Sequence, residues 1–244
     1  MPSKTFKIGE CARGWSASIN VPVVYFDEVD STNSWAKEVE HWESLPALVI
    51  TEFQTNGRGR SGRSWISPAK GTSLLSTWVF ELDRAPQPIA SPLVGLALYR
   101  AALTTWPKLP WSLKAPNDLY LGEKKIAGVL VEVTNTSDRW MLYVGIGMNV
   151  IESPGSKVEG SSTCLLEFLP QPLTHEAFEN FLTSLIVELG EALGNSFESE
   201  MSSSCRTDLL DALNKLPLLS EPYLEILGDG SLRSASGVRG WESL

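Results

Sequence analysis

Residues 21–26, Val-Pro-Val-Val-Tyr-Phe, form an apolar, β-branched run that predicts a strand. Asp30-Ser31-Thr32-Asn33 follows, a cluster of helix-capping residue types. Trp35, Val39 and Trp42 then recur at spacings of four and three. Together these predict a helix over about 31–42. The stretch 47–53 reads as the next strand and 73–80 is strand-like again, separated by a polar, glycine-rich loop at 54–70. Ser91-Pro92 opens a helix, because serine caps and proline suits the first turn, and apolar residues continue it to about 103. Strands are expected at 111–114, 124–134 and 141–150, and a loop at 154–172. Phe178, Phe181, Leu182, Leu185, Ile186 and Leu189 follow helical spacing up to glycines at 190–194. A last helix is expected over 205–216, then strand-like pieces at 223–227 and 236–241. Clustered strands with few intervening helices indicate an α+β fold with a mixed or antiparallel sheet and flanking helices.

Composition narrows the class without changing this picture. Of 244 residues, 43% are hydrophobic and 20% charged, which is ordinary for a globular chain and unlike a disordered one. No apolar run is long enough to span a bilayer, and the first fifteen residues lack the apolar core of a secretory signal. Three scattered cysteines and two histidines give neither a disulfide framework nor a zinc pattern. A reducing, cytoplasmic setting is expected, with no membrane partner. The formal charge of −9 argues against a general nucleic-acid binder. No repeat or linker divides the chain, and the first twenty residues are too few for a helix-turn-helix domain.

Three segments carry candidate chemistry. The first reads Gly57-Arg58-Gly59-Arg60-Ser61-Gly62-Arg63-Ser64-Trp65. Its glycines satisfy GxGxxG, but Pro68 makes a following dinucleotide-type helix improbable, and no GK[ST] is present. Its charges say more. Arg58, Arg60, Arg63 and Lys70 stand in the loop without an acidic residue. Guanidinium groups match carboxylate and phosphate oxygens, and glycines let backbone fold over a ligand. The segment reads as a mobile loop closing on a small anion or as a solvated basic loop, and the interleaving of glycine with arginine favours the first.

The second segment is 114–130, where Asn117-Asp118 precedes a Gly122 turn; a hairpin there would bring Asp118 near Lys125. A carboxylate beside an ammonium could hold a metal and a phosphate, or form a surface ion pair. The third is Gly145-Ile146-Gly147-Met148-Asn149-Val150, where small residues permit close approach of a flat ligand and Asn149 could hydrogen-bond a base or sugar, or where the strand bends through a bulge. No Ser-His-Asp or Cys-His arrangement is evident for nucleophilic catalysis.

With Ser31-Thr32-Asn33 these segments resemble the biotin protein ligases, in order and over about 21–194. That family carries a Ser-Thr-Asn element, a GRGRxGRxW loop, a KWPND hairpin and a GIGxN strand. The resemblance implies the class II aminoacyl-tRNA synthetase-like biotin/lipoate ligase fold, in a monofunctional form without an N-terminal DNA-binding domain. It implies a catalytic domain over 1–216 and an abbreviated SH3-like remnant over 217–244. The implied activity is ATP-dependent conversion of biotin to biotinyl-5'-AMP, then transfer to a lysine of a biotin carboxyl carrier protein such as that of acetyl-CoA carboxylase. ATP and Mg²⁺ are the implied cofactors and nucleic acid is not an implied partner; family members can pair through sheet edges, so a homodimer stays open, with no residue of this sequence identifying such a surface.

The site residues are likewise implied by resemblance. Ser31, Thr32, Asn33, Gln54, Gly57, Arg58, Gly59, Arg60, Lys125 and Gly128 would surround biotin. Arg63, Trp65, Lys114, Asn117, Asp118 and Asn149 would serve ATP, and Asp118 the metal. Lys125, Arg60 and Asp118 would carry the catalytic work, with Lys125 at the biotin carboxylate and the α-phosphate. Ala115 departs from the family's usual tryptophan, which removes an aromatic wall. The rivals to this reading are a lipoate or octanoate ligase, a biotin-binding homologue without full turnover, and an RNA-binding arginine loop, the last opposed by the acidic remainder of the chain.

Overall fold

The computed structural model describes residues 6–136, 139–155 and 161–244. In chain order its elements are α1 (Ile8–Ser18), β1 (Val23–Phe26), α2 (Thr32–Glu38), β2 (Ala47–Thr51), β3 (Gly57–Arg58), β4 (Ser64–Trp65), β5 (Ser73–Leu82), α3 (Ala90–Thr105), β6 (Trp111–Lys114), β7 (Asp118–Leu121), β8 (Lys124–Thr136), β9 (Arg139–Asn149), α4 (His175–Asn195), α5 (Ser203–Asn214), β10 (Tyr223–Ile226), β11 (Leu232–Ser234) and β12 (Gly237–Arg239). Two units emerge: residues through Asp83 with Ile126–Glu179, and Arg84–Lys125 with Asn180–Leu244.

The first unit is built on a mixed sheet in the order β1-β2-β5-β9-β8. β1 runs parallel to β2 and the later pairs are antiparallel, with Leu48 opposite Trp78 and Thr77 opposite Gly145. β2 is buried at every position, because both of its faces are covered. On one face α1 docks through Ile8, Cys11, Ala12 and Trp15, a helical stripe, and the Trp15 ring meets Trp78 edge-on at 5.8 Å. An isolated eleven-residue helix is marginal in water; burying each large apolar side chain adds roughly 1.5–3 kcal/mol, so packing holds α1 in place. On the other face Ala36 of α2 joins Ala47, Val49, Val79, Met141 and Tyr143.

Three sequence expectations shift here. α1 lies in a stretch for which no element was predicted. α2 stops at Glu38 instead of 42, since Val39 is already extended. Trp35 and Trp42 still meet, at 6.2 Å between ring centroids, but across a bend. Of the loop expected at 154–172, residues 156–160 lie outside the described residues.

The second unit packs α5 and β6 against α3, a helix buried nearly all round. Trp106 stacks against Phe181 at 5.3 Å, and the Trp111 indole donates to the Trp106 carbonyl at 3.0 Å. α3 starts at Ala90 with no side-chain cap, so Ser91 lies inside its first turn. Arg100 is held by Asp208 at 2.5 Å and Glu188 at 3.6 Å. β10, β11 and β12 form an open antiparallel meander. The fold is α+β with a mixed sheet and flanking helices.

Candidate functional site

α2 begins because Ser31 caps it: its backbone is extended and its hydroxyl accepts from the Ser34 amide at 3.4 Å. Ser31, Thr32 and Asn33 are buried, and buried polar groups need partners. Gln54 supplies one. Its side-chain oxygen accepts from the Thr32 amide at 2.9 Å and from the Thr32 hydroxyl at 3.2 Å. Thr77 of β5 comes next, its hydroxyl donating to Asn33 Oδ1 and lying 2.9 Å from the Thr32 hydroxyl. Asn33 Nδ2 in turn donates to Glu132 Oε2 at 3.0 Å.

Glu132, on β8, closes the network. Lys37 reaches its Oε1 at 2.7 Å. Arg58 grips both oxygens, Nη1 to Oε2 at 3.1 Å and Nη2 to Oε1 at 3.0 Å, the bidentate fork expected of arginine and carboxylate. Burial works against the Glu132 charge, but hydrogen bonds from Lys37 and Asn33 and the charges of Lys37 and Arg58 outweigh it. The carboxyl is held below its ordinary range.

The cationic loop is partly structured. β3 and β4 pair Gly57 with Trp65 and Arg58 with Ser64, joined by a 3₁₀ turn over Arg60–Gly62. Gly62 takes φ of 75°, a conformation that glycine adopts at no steric cost. Gly59 donates its amide to the Arg63 carbonyl at 2.7 Å. Arg63 is exposed and makes no side-chain pairing among the described residues, and Lys70 pairs with Asp27.

The close-approach glycines of β9 serve the chain itself. A Cβ on Gly145 would sit 2.4 Å from Asn33 Oδ1, and one on Gly147 would sit 2.6 Å from the Trp65 indole. The close approach that these glycines allow is thus made by the chain's own Asn33 and Trp65 and not by the flat ligand expected over this strand; Gly128 stands directly opposite Gly147 on β8. Asn149 is 2% exposed and its Nδ2 donates to the Thr163 carbonyl at 3.1 Å.

Ser31, Thr32, Asn33, Gln54, Gly57, Arg58, Gly59, Arg60, Arg63, Trp65, Gly128 and Asn149 therefore all belong to the first unit, and the network gathers Thr32, Asn33, Gln54 and Arg58. Lys114, Asn117, Asp118 and Lys125 belong to the second. There β6 and β7 form a hairpin with Lys114 opposite Asp118, and Gly122 turns the chain at φ of 60°. The anticipated juxtaposition is present: Lys125 Nζ lies 2.6 Å from Asp118 Oδ1. Lys114 points its ammonium at the Tyr120 hydroxyl, at 3.4 Å.

Lys37, Thr77 and Glu132 were not anticipated. Glu132 did carry a signal, as the lone acid in the apolar run Ile126-Ala-Gly-Val-Leu-Val-Glu-Val133. Among the described residues, Cys11, His175 and Glu179 are the group of three whose ligand atoms come within 4.8 Å of one another. Burial, with the nearby Glu179 charge, pushes the Cys11 thiol up to about 12. Asp118 belongs to no such group.

A buried Ser-Thr-Asn cluster at the start of α2, linked through Glu132 to a glycine-arginine loop, defines the class. The family model for the biotin/lipoate A/B protein ligase family matches residues 25–149, and the chain belongs to that family. It is 35% identical over 125 residues to the bifunctional ligase/repressor BirA of Escherichia coli K12, covering 50% of this chain and 38% of that protein. It is 36% identical over 130 residues to the biotin--[acetyl-CoA-carboxylase] ligase of Paracoccus denitrificans, covering 51% and 53% respectively. The matched stretch thus spans about half or less of these relatives. Among solved structures it resembles the Aquifex aeolicus biotin protein ligase in complex with biotin and ATP, with a TM-score of 0.68, 24% identity and coverage of 89% and 94%. The Leishmania major enzyme in complex with biotinyl-5-AMP gives a TM-score of 0.58, 22% identity and coverage of 88% and 96%. These likenesses establish the fold. No helix among the described residues is long and apolar enough to cross a membrane.

Proposed function

We propose that this chain activates biotin with ATP and transfers it to a lysine of a carboxylase carrier protein. The observation that carries the reading is the continuous network from Gln54 through Thr32, Thr77 and Asn33 to Glu132 and Arg58. It joins a polar pocket at the start of α2 to the cationic loop, which an acid substrate and its adenylate require. Relatives named as biotin ligases supply the substrate class.

In this reading a biotin carboxylate oxygen attacks the α-phosphate of ATP; biotinyl-adenylate forms and pyrophosphate leaves. The neutral amine of the carrier lysine then attacks the acyl carbon, loses a proton, and AMP leaves. No enzyme nucleophile is needed, so the chain contributes position and positive charge. Ser31, Thr32, Asn33 and Gln54, with Gly57 and Gly128, serve the ring system. Arg58, Gly59 and Arg60 cover the acyl phosphate and keep water from it. Lys125 serves the carboxylate and α-phosphate. Arg63, Trp65, Lys114, Asn117 and Asn149 serve the nucleotide. Magnesium is commonly held by one or two carboxylates together with phosphate oxygens, and Asp118 offers one such carboxylate beside a lysine, so the residues fit. Asp118 would hold the ion, which neutralises triphosphate charge when bound. We further infer a catalytic region over 1–216, a small C-terminal segment over 217–244 and a cytoplasmic setting; homodimer formation is an expectation for sedimentation to test.

Mass spectrometry of a carboxylase carrier domain incubated with this protein, biotin, ATP and Mg²⁺ tests the proposal. The expected result is a gain of one biotinyl group. No gain, or a gain only with lipoate or octanoate, overturns the assignment.

A further inference from the structure

Glu132 receives three of this site's polar side chains, those of Asn33, Lys37 and Arg58. Each of its oxygens accepts twice, Oε1 from Lys37 and Arg58, Oε2 from Asn33 and Arg58. An ionised carboxylate offers about four acceptor positions, so this one is fully used. Its partners come from separate places: Asn33 and Lys37 from α2, Arg58 from β3 of the cationic loop. Its backbone is fixed in the sheet, opposite Tyr143 of β9 and two residues beyond the Leu130–Gly145 pair. Gly145 is where the Asn33 amide rests, so the sheet and the carboxylate locate that amide together.

The charge balance matters as well. Lys37 and Arg58 share one carboxylate, which leaves one positive charge in the network uncompensated. That excess suits a monocarboxylate substrate. Without Glu132 the two cations would repel one another and the loop would lose its anchor to α2.

We propose that Glu132 is a positioning residue for the acid substrate: one carboxylate holds the Arg58 guanidinium and the Asn33 amide in fixed relation, coupling the loop to the recognition pocket. The inference rests on the biotin-activating function proposed above.

Biotin-dependent exchange of pyrophosphate into ATP tests it. Replacing Glu132 by Gln removes the charge and turns an amide donor toward groups that are themselves donors. E132Q is expected to raise the KM for biotin by about tenfold or more, while kcat changes less than about threefold and the KM for ATP is unchanged. E132D should recover part of the loss, as a shorter carboxylate. Arg58 is exposed, so R58M reads the same contact even where E132Q disturbs folding. R58M should raise the biotin KM similarly, and E132Q/R58M should be no worse than the poorer single variant.

A wild-type KM in E132Q overturns the inference, as do single-variant effects that simply multiply. A lower KM also overturns it, by showing that Glu132 competes with the substrate for Arg58. These outcomes arise with an active wild-type protein, so the proposed function survives them. Absence of biotin-dependent exchange in the wild type removes that function, and this inference with it.

Discussion

The Glu132 network and the Asp118–Lys125 pair both set a carboxylate beside a cation, but they are assembled in opposite ways. Asp118 and Lys125 are seven positions apart across a Gly122 turn, so local geometry alone brings them within 2.6 Å. Glu132 meets Arg58 and Asn33 across 74 and 99 positions, and only the pairing of β8 with β9 and the seating of α2 on the sheet bring them together. The hairpin pair joins near neighbours in sequence, and its lysine is partly exposed. The network is a many-body contact whose members orient one another. Loss of a member should therefore act differently in the two places: on chemistry in the first, on recognition and local order in the second.

The sharpest break between them is Lys125→Ala. Removing a positive charge from a developing phosphate transition state commonly costs two or more orders of magnitude, so adenylate formation is expected to fall about 100-fold or further. The partly exposed ion pair contributes only about 0–1 kcal/mol to folding, and the thermal midpoint should move by a few degrees at most. Single-turnover adenylation and a melting curve on the same sample check both. A rate near wild type would remove Lys125 from the reacting centre.

Gly145→Ala should show the opposite pattern. Its Cβ would meet Asn33 Oδ1 at 2.4 Å, too close for any real contact, and Asn33 cannot move without leaving Glu132 and Thr77. Overpacking of this kind costs about 1–3 kcal/mol. Urea denaturation should register that loss, and the biotin KM should rise with kcat less affected. An unchanged KM would mean that Asn33 does not belong to the recognition pocket.

The same contrast explains what could be read from the chain alone. β2 was visible because a strand covered on both faces appears as a nearly continuous apolar run, and β5 because its buried Leu, Trp, Val and Phe are interrupted only by small Ser and Thr up to Phe80. The hairpin pair was visible because its parts are close in sequence. Glycine at 145 and 147 signalled close approach and was read as room for a flat ligand; the fold shows Asn33 and Trp65 filling those places. α1 escaped notice because its four buried hydrophobic positions are spread among Gly, Ser and charged residues and matter only once β5 presents Trp78. Lys37, Thr77 and Glu132 escaped for the same reason, since long-range strand pairing chooses their partners.

A smaller effect separates the two regions by pH. The Glu132 carboxyl lies below its ordinary range in the fold, so the folded state binds its proton more weakly than the unfolded chain does. Its stabilisation is therefore complete above the ordinary carboxylate range and fades as pH falls through the lowered folded value. The difference in unfolding free energy between wild type and E132Q should be constant near neutrality and shrink on acidification. A difference that grew on acidification would reverse the sign assigned to this group.

The smallest expected effect compares two cations of one loop. Lys70 pairs with Asp27, and both side chains are largely exposed, at 41% and 69%, whereas Arg58 is tied to the half-buried Glu132. Exposed pairs contribute about 0–1 kcal/mol, and this one touches neither α2 nor the network. Lys70→Ala should leave the biotin KM within about twofold of wild type and stability nearly unchanged, while R58M does not. Were K70A to match R58M, the general charge of the loop would govern substrate affinity, and the specific geometry at Glu132 would not. Repeating both at raised salt tightens the comparison, because screening weakens a diffuse charge effect more than a partly buried bidentate contact.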